Sequence, residues 1–270
     1  MHQKTKDIQK RYDGFLQTNC LWKNDAVYTL KQFKIKATSS KVNIAIDDKL
    51  RLGKYIERFV SFQLSQEKNL TIICENIQIQ KEKRTLGELD CILKKENIPI
   101  HLEVIYKFYL YDASVGNTEI EHFIGPNRKD ALVEKLHKLK EKQLPLLHSK
   151  ECISFLKTIN LKPLEIEQQV YFKAQLFVPF SKQNIQLTNL NQECIVGFYS
   201  NQKQIEHFSN CKFFIPNKKD WIVIPHKNVS WLYFKEFKIL TQEYYQRKFS
   251  PLCWIKKENG ELLKIFLVWW

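Results

Sequence analysis

Two neighbouring strand-like stretches, residues 87–93 and 100–108, carry ionisable side chains in otherwise apolar sequence. Because successive side chains of a strand point to opposite faces, the acids of each stretch share one face, and two carboxylates and an ammonium can converge. Burying such groups is costly unless they pair, hydrogen-bond or bind a metal. This predicted hairpin is therefore the first candidate for chemistry. Its ionisable residues are Glu88 and Asp90 in the first stretch, and His101, Glu103 and Lys107 in the second.

The surrounding sequence predicts helices and strands that position this hairpin. Apolar residues recur at helical spacing from Lys49 to Leu64, which predicts a helix there. This helix carries Glu57. Asp47 and Asp48 are suited to cap its start. The other elements are expected as a strand at Leu70–Gln80, a helix at Lys129–Leu147 and a strand at Gln169–Phe180. The order helix-strand-strand-strand-helix-strand predicts an α/β fold with a mixed central sheet flanked by helices.

Length and composition limit how the chain can be organised. With 270 residues and 44% hydrophobic content, it can bury the core of one large domain or two small ones. No Gly/Ser-rich linker marks a boundary. We expect an N-terminal leader at 1–45 that packs on the core, a core at 46–185, and a C-terminal α+β elaboration at 186–270 packed on that core.

The formal net charge of +14 favours a polyanionic partner such as nucleic acid. Lysines are spread along the whole chain, so a generally lysine-rich composition explains the same charge. The first residues lack the apolar stretch of a signal peptide, and the longest apolar run, Ile265–Trp270, is far too short to span a membrane. The seven cysteines have neither disulfide-framework nor zinc-site spacing. We expect a soluble, cytoplasmic protein without a membrane partner.

A series of short motifs runs in order along the chain from about residue 45 to the end. They are Leu52–Glu57, Arg84–Asp90, His101–Glu103 with Lys107–Leu110, Gly125–Asn127, Lys135 through Gln143–Leu144, Phe177–Pro179, Phe214–Pro216 with Asp220–Trp221, Pro251–Leu252 and Ile265–Trp270. Together they resemble the bacterial domain of unknown function 1853 family (DUF1853). That family is grouped by fold with the PD-(D/E)XK restriction-endonuclease-like superfamily.

The resemblance implies a restriction-endonuclease-like core and a nuclease that hydrolyses phosphodiester bonds in DNA with Mg²⁺ or Mn²⁺. Asp90 and Glu103 would be the carboxylates that hold the metal, and Glu57 would match the extra acidic residue of the superfamily. Mg²⁺ favours such oxygen ligands. Lys107 would orient the attacking water or stabilise the developing negative charge.

One departure from the superfamily pattern concerns Lys107. The usual lysine follows the acid by two residues, whereas Lys107 follows Glu103 by four, which is roughly 13 Å instead of roughly 7 Å along an extended strand. Lys107 lies on the same strand face as Glu103, but whether its ammonium reaches the acids is open. The long side chain can bend back, a bulge can shorten the distance, or Lys107 can pair with Glu88 or with a phosphate further out.

Four further residues are candidates for substrate binding. His101 shares the face of Glu103 and contacts metal, substrate or a carboxylate, or else is a structural hydrogen-bonder. Gln143 interrupts the apolar stripe of its helix, and the resemblance implies that this helix lends a polar side chain to the site; a bond to nearby backbone is the alternative. Arg84 and Asn127 are expected at the rim as phosphate contacts, although ordinary turn chemistry explains the Asn127 motif equally well.

Two functional interpretations stay open. The first is the metal-dependent nuclease, favoured by the joint presence of Glu57, Asp90 and Glu103. The second is a catalytically inactive nuclease-fold protein that acts as a nucleic-acid-binding or protein-interaction module, favoured by the displaced Lys107. A third interpretation, a metabolic enzyme on the same scaffold, is not supported, because the sequence contains no nucleotide-binding loop or nucleophile motif.

Overall fold

The computed structural model describes residues 2–36 and 40–270. The expected leader at 1–45 therefore lies partly outside the described residues. The helices are α1 (His2–Gln17), α2 (Leu52–Ser65), α3 (Leu132–Lys138), α4 (Lys150–Thr158) and α5 (Phe234–Gln246). The strands are β1 (Leu70–Lys81), β2 (Arg84–Lys95), β3 (Ile98–Tyr111), β4 (Phe123–Ile124), β5 (Glu167–Pro179), β6 (Ile195–Ser200), β7 (Lys212–Phe214), β8 (Leu232–Tyr233), β9 (Leu252–Lys256) and β10 (Leu262–Leu267).

The chain is a mixed α/β protein with a large mixed sheet flanked by helices. It divides into two compact units. Unit I comprises Cys20–Tyr106 and Glu134–Lys173, and unit II comprises Met1–Asn19, Lys107–Val133 and Ala174–Trp270. These boundaries differ from the three consecutive segments expected from the sequence, and that division stays a prediction.

Unit I contains the predicted hairpin. Strands β1, β2 and β3 are consecutive antiparallel neighbours, and β5 follows β3 in the strand order. The turn between β2 and β3 is Glu96-Asn97, with φ of 50° and 72°. Two positive φ values are typical of the two-residue turn whose twist matches an antiparallel pair, and asparagine tolerates that conformation well. The short turn fixes the register that pairs Cys91 with Leu102.

Helix α2 begins three residues later than expected. Arg51 is its N-cap and provides no side-chain cap, while Asp47 instead accepts the backbone N–H of Lys49. The expected capping by Asp47 and Asp48 is therefore wrong: their turn ends before the helix starts. The helix is held by its apolar face, which buries Tyr55, Ile56, Phe59 and Val60.

The single helix expected at Lys129–Leu147 is instead a series of short segments. Helix α3 passes into a π-helical segment at Leu139–Gln143, closed by a hydrogen bond from the Leu144 N–H to the Leu139 carbonyl. A 3₁₀ turn at Leu144–His148 follows, with proline near its start. Pro145 has no N–H to continue an α-helix, which explains the change of helix type. With β4 and α4 added, the expected element order is not matched.

Separate apolar clusters stabilise the two units. The cluster of unit I joins strands β1 and β2 to α4 and its preceding turn, through Ile79, Leu89, Ile92, Leu146, Leu147, Cys152 and Leu156. In unit II the strand order is β5-β6-β10-β9-β7-β8, with β6 parallel to β5 and β10 and the remaining pairs antiparallel. Its cluster includes Phe198, Phe213, Phe237, Ile255 and Ile265. No helix in the described part of the chain has the length and apolar content that crossing a membrane requires.

Candidate functional site

Three carboxylates of unit I converge between helix α2 and strand β2. Glu57, Glu88 and Asp90 each present one carboxylate oxygen, and these oxygens lie within 4.8 Å of one another. Glu88 and Asp90 share one face of β2 because they are two residues apart, whereas Glu57 projects from α2. We refer to these three residues as the acidic cluster. All three are half-buried, so their mutual repulsion is less screened than on an open surface.

Lys54 provides the cation of this cluster. It lies one helical turn before Glu57 on α2, and its Nζ donates to Glu57 Oε2 at 2.8 Å. The same Nζ donates to Glu88 Oε1 and, at 2.9 Å, to the side-chain oxygen of Asn76 on β1. All three hydrogens of the ammonium therefore have an acceptor.

Asp90 is held by the backbone of the next strand. Its Oδ2 accepts the N–H of Val104 at 2.9 Å. Burial, followed by the charge of Glu103, raises the pKa of Asp90 to about 7, against the lowering effect of the Val104 hydrogen bond. A carboxyl group in this environment retains its proton more readily than an exposed one, unless a cation compensates its charge.

Burial also raises the pKa of Glu57, and the neighbouring Glu88 adds to this effect, although Lys54 acts in the opposite direction. For Lys54, burial acts to lower the pKa, but the hydrogen bonds to Glu57 and Glu88 outweigh it and the pKa is raised. The ammonium is thus stabilised by the same acids whose ionised forms it supports. The acidic cluster is favourable only with a cation beside it.

A second, fully buried group lies around Glu103. The Glu103 side chain contacts His101 Nε2 through Oε1 at 3.1 Å and accepts a hydrogen bond from the Gln143 amide through Oε2. His101 and Glu103 both have 0% exposure. Gln168 donates to His101 Nδ1 at 3.1 Å. Since an amide NH₂ group only donates, Nδ1 is the acceptor and the ring proton resides on Nε2, directed at Glu103.

Gln143 reaches Glu103 from the end of the π-helical segment. Its own side-chain oxygen accepts from Lys135 Nζ at 2.7 Å, so the amide is fixed at both ends. Segments with a π-helical turn redirect one side chain relative to a regular helix and are frequent at functional sites. The amide of Gln143 donates to a carboxylate and not to nearby backbone, and its predicted contact with substrate stays a prediction.

Five of the predicted site residues lie in unit I, in the two groups just described: Glu57, Asp90, His101, Glu103 and Gln143. Both oxygens of Glu103 are engaged by side chains, and Glu103 is not a member of the acidic cluster among the described residues. Its role as a direct metal ligand stays a prediction. Arg84 lies exposed at the start of β2, beside the β1–β2 turn.

The other two predicted residues belong to unit II. Lys107 pairs with Asp130, Nζ to Oδ2 at 2.7 Å. Asn127 accepts the backbone N–H of Ser250 at 2.7 Å, a contact that ties a loop to the segment just before β9. The sequence alternatives for Lys107 did not include Asp130, which lies 23 positions further along the chain.

Lys54 and Glu88 were not among the predicted site residues. Each had a signal in the sequence: Glu88 shares a strand face with Asp90, and Lys54 precedes Glu57 by three residues, a spacing that places both side chains on one helix face. The missing information was that α2 lies against β1 and β2 at this point. That placement follows from packing, and no local pattern encodes it.

A family model matches the chain. The family model described as a domain of unknown function (DUF1853) matches residues 5–268, nearly the whole chain. No curated protein and no solved structure matches the chain. On the extent of that match, the chain belongs to the DUF1853 family.

Proposed function

We propose that the protein is a metal-dependent nuclease of the PD-(D/E)XK type that hydrolyses phosphodiester bonds in DNA with Mg²⁺ or Mn²⁺. The observation that supports this proposal is the acidic cluster, in which oxygens from Glu57, Glu88 and Asp90 lie within 4.8 Å of one another. The fit to the cofactor rests on donor chemistry. Three carboxylate oxygens are the ligands that these hard cations prefer, and the cluster supplies no sulfur or nitrogen ligand that would favour a softer metal.

The proposed cation has a defined chemical contribution. When bound, it would supply Lewis-acid neutralisation of charge on a phosphoryl oxygen and make a water molecule more acidic. Glu57, Glu88 and Asp90 would hold it. Because the Val104 N–H fixes Oδ2 of Asp90, the orientation of this carboxylate is set by the strand before any ligand arrives.

In this proposal Lys54 takes the role that the sequence suggested for Lys107. The ammonium of Lys54 lies beside the carboxylates because it projects from α2. The proposal therefore does not require Lys107, which follows Glu103 by four residues, to reach the acids. Lys54 holds Glu57 and Glu88 in place, and it can donate to negative charge on a phosphate oxygen when that oxygen replaces one of its three present acceptors. It is half-exposed, with 39% of its side chain accessible, which leaves room for an approaching substrate.

The buried pair of His101 and Glu103 would act as support. The carboxylate of Glu103 is fixed by hydrogen bonds from His101 and Gln143, and its charge raises the pKa of Asp90. Asp90 therefore gains more from a nearby cation than an exposed aspartate would. Mutation of residues that hydrogen-bond to metal ligands commonly lowers metal affinity or activity by about 10–100-fold.

One observation favours the alternative of an inactive nuclease-fold protein that binds nucleic acid or a protein partner. Lys54 compensates the charge of two members of the acidic cluster, so these carboxylates have a cation supplied by the chain itself. If this ion pair is permanent, the cluster is structural. Metal-dependent cleavage of nucleic acid separates the two functions.

The test is cleavage of single- and double-stranded DNA and RNA by the full chain, with Mg²⁺, with Mn²⁺ and with a chelator. We expect cleavage of DNA that requires the metal and that falls by about 100-fold or more in Asp90→Asn and Glu57→Gln. Lys54→Met should lower the rate far more than Lys107→Met. The matched control is Glu75→Gln, which removes a carboxylate on β1 that bonds Ser61 Oγ at 2.9 Å and is outside the cluster.

Cleavage that persists in Asp90→Asn, or in the presence of the chelator, would contradict the proposed site. No cleavage of any substrate, together with salt-sensitive DNA binding that is unchanged in Asp90→Asn, would favour the inactive module.

A further inference from the structure

A lysine in unit II is buried with no acid bonded to it among the described residues. Lys264 lies in the interior of strand β10, and only 6% of its surface is exposed. Its Nζ donates to Gln175 Oε1 at 2.7 Å, and Gln175 is its one hydrogen-bond partner within the described residues. An ammonium has three hydrogens to donate, so two hydrogens of Nζ have no acceptor among the described residues.

Lys264 lines a cavity of about 270 Å³. Most of its wall is apolar and includes Val196, Ile222, Ile224 and Leu262. The other polar side chains that line it are Gln17, Thr18 and Gln175. Among the described residues of the wall, drawn from α1, β5, β6, β10 and the segment after Trp221, Lys264 is the one ionisable group. The cavity thus combines a hydrocarbon surface with a single cationic point.

This arrangement is costly for the protein alone. A buried ammonium without an acid loses hydration that one amide oxygen cannot replace. Burial accordingly lowers the pKa of Lys264 to about 7, and no charged neighbour contributes to this shift. Replacing such a lysine by an apolar residue of similar size costs little and often stabilises a fold, so packing in unit II does not explain the lysine. A ligand that brings a negative charge would.

We propose that the cavity of unit II binds a small aliphatic carboxylic acid, with the carboxylate on Lys264 and the hydrocarbon chain against Val196, Ile222, Ile224 and Leu262. One cation matches one carboxylate, whereas a phosphate dianion would leave a charge unpaired in an apolar cavity. A sugar would need more polar partners than Gln17, Thr18 and Gln175 supply. The proposal does not depend on the function proposed for the acidic cluster.

The test uses hexanoate as the probe and isothermal titration of the full chain. We expect hexanoate to bind the natural protein and to bind Lys264→Met at least about tenfold more weakly, since a hydrogen bond to a charged group is lost. Hexanol, which has the same chain without the charge, should bind both proteins weakly and alike. The control is Lys256→Met on β9, a lysine outside the cavity wall, which should leave hexanoate binding unchanged.

Equal affinity of hexanoate for Lys264→Met and the natural protein would overturn the proposal, and so would the absence of binding to the natural protein. A second readout covers a variant that fails to fold. NMR of isotope-labelled lysine side chains in the natural protein should show a rise in the pKa of Lys264 when hexanoate is added, because the carboxylate stabilises the ammonium. An unchanged pKa at saturating hexanoate would also exclude the proposed pairing.

Discussion

The carboxylate of Asp90 on β2 accepts the backbone N–H of Val104 on β3 at 2.9 Å. Cys91 pairs with Leu102 next to this position, so the side chain of Asp90 satisfies a donor that lies just beyond that backbone pair. A half-buried acid is thereby attached to a rigid strand through one oxygen. The hydrogen bond fixes the position of Asp90 in the sheet. The electrostatic cost of burying this carboxylate can therefore be measured as a change in the free energy of unfolding.

We expect Asp90→Asn to stabilise the metal-free protein. The raised pKa of Asp90 means that the folded chain holds the proton more tightly than the unfolded chain. Stability from this group therefore falls as pH rises from the unfolded pKa near 4 to about 7, and the amide removes that fall. The gain should be on the order of 1–3 kcal/mol at about pH 8 and small at about pH 4.

Urea unfolding of both proteins in the presence of a chelator measures this difference. Glu75→Gln is the comparison variant; it retains Asp90, so its stability should fall with rising pH as that of the natural protein does. If Asp90→Asn is less stable than the natural protein at about pH 8, the burial and repulsion assigned to Asp90 are wrong.

Lys54→Met should destabilise the metal-free protein and make its stability depend more strongly on Mg²⁺. Without the ammonium, Glu57 and Glu88 repel each other, at a cost of about 1 kcal/mol for these half-exposed groups. A divalent cation can then replace the lost charge. Thermal unfolding with and without Mg²⁺ tests this, with Lys107→Met as the matched change. A Mg²⁺-induced shift that is no larger in Lys54→Met than in the natural protein would contradict metal binding at the cluster.

Gln143→Leu should reduce stability by about 1–3 kcal/mol, because it leaves an oxygen of the fully buried Glu103 without its donor. Gln143→Glu should cost more, since it places a second carboxylate beside the first. Lys142→Ala changes the exposed neighbour in the same π-helical segment and is expected within about 0.5 kcal/mol of the natural protein. Chemical denaturation measures all three. Similar values for Gln143→Leu and Lys142→Ala would show that the contact with Glu103 contributes little.

Lys264→Met should be more stable than the natural protein at about pH 7, and the difference should shrink as pH rises toward 10. The pKa of Lys264 is lowered to about 7 from an ordinary value of 10.5, so the unfolded chain binds this proton more tightly. Stability of the natural protein therefore gains from rising pH across this range, and the variant lacks that gain. Unfolding curves without added carboxylate give the difference at each pH. A constant difference between the two proteins would mean that Lys264 titrates normally.

The strands that carry the candidate site could be predicted closely from the sequence. Alternation and turn residues indicated β1, β2 and β3 near their observed bounds, and two of the ionisable residues in them, Glu88 and Asp90, lie in the acidic cluster. These signals are local, because strand periodicity and a two-residue turn are read from adjacent positions. The helix boundaries were less accurate: Pro145 and the π-helical segment interrupt a helix whose apolar spacing looks continuous.

Partners distant in sequence could not be predicted. Lys54 and Glu88 are 34 positions apart, and Lys107 and Asp130 are 23 apart. Which carboxylate forms an ion pair with which ammonium depends on how the helices pack on the sheet. Charge pairing across elements is a property of the folded chain.

The π-helical segment at Leu139–Gln143 behaves as an α-helix into which one residue has been inserted. Removing a single residue from it, such as Lys142, would restore regular winding and rotate Gln143 by about 100° around the helix axis. The amide would then leave Glu103, although no residue of the site had been substituted. In this segment the number of residues matters as much as their identity. A one-residue deletion is expected to remove the hydrogen bond from Gln143 to the buried carboxylate of Glu103, as a substitution of Gln143 would.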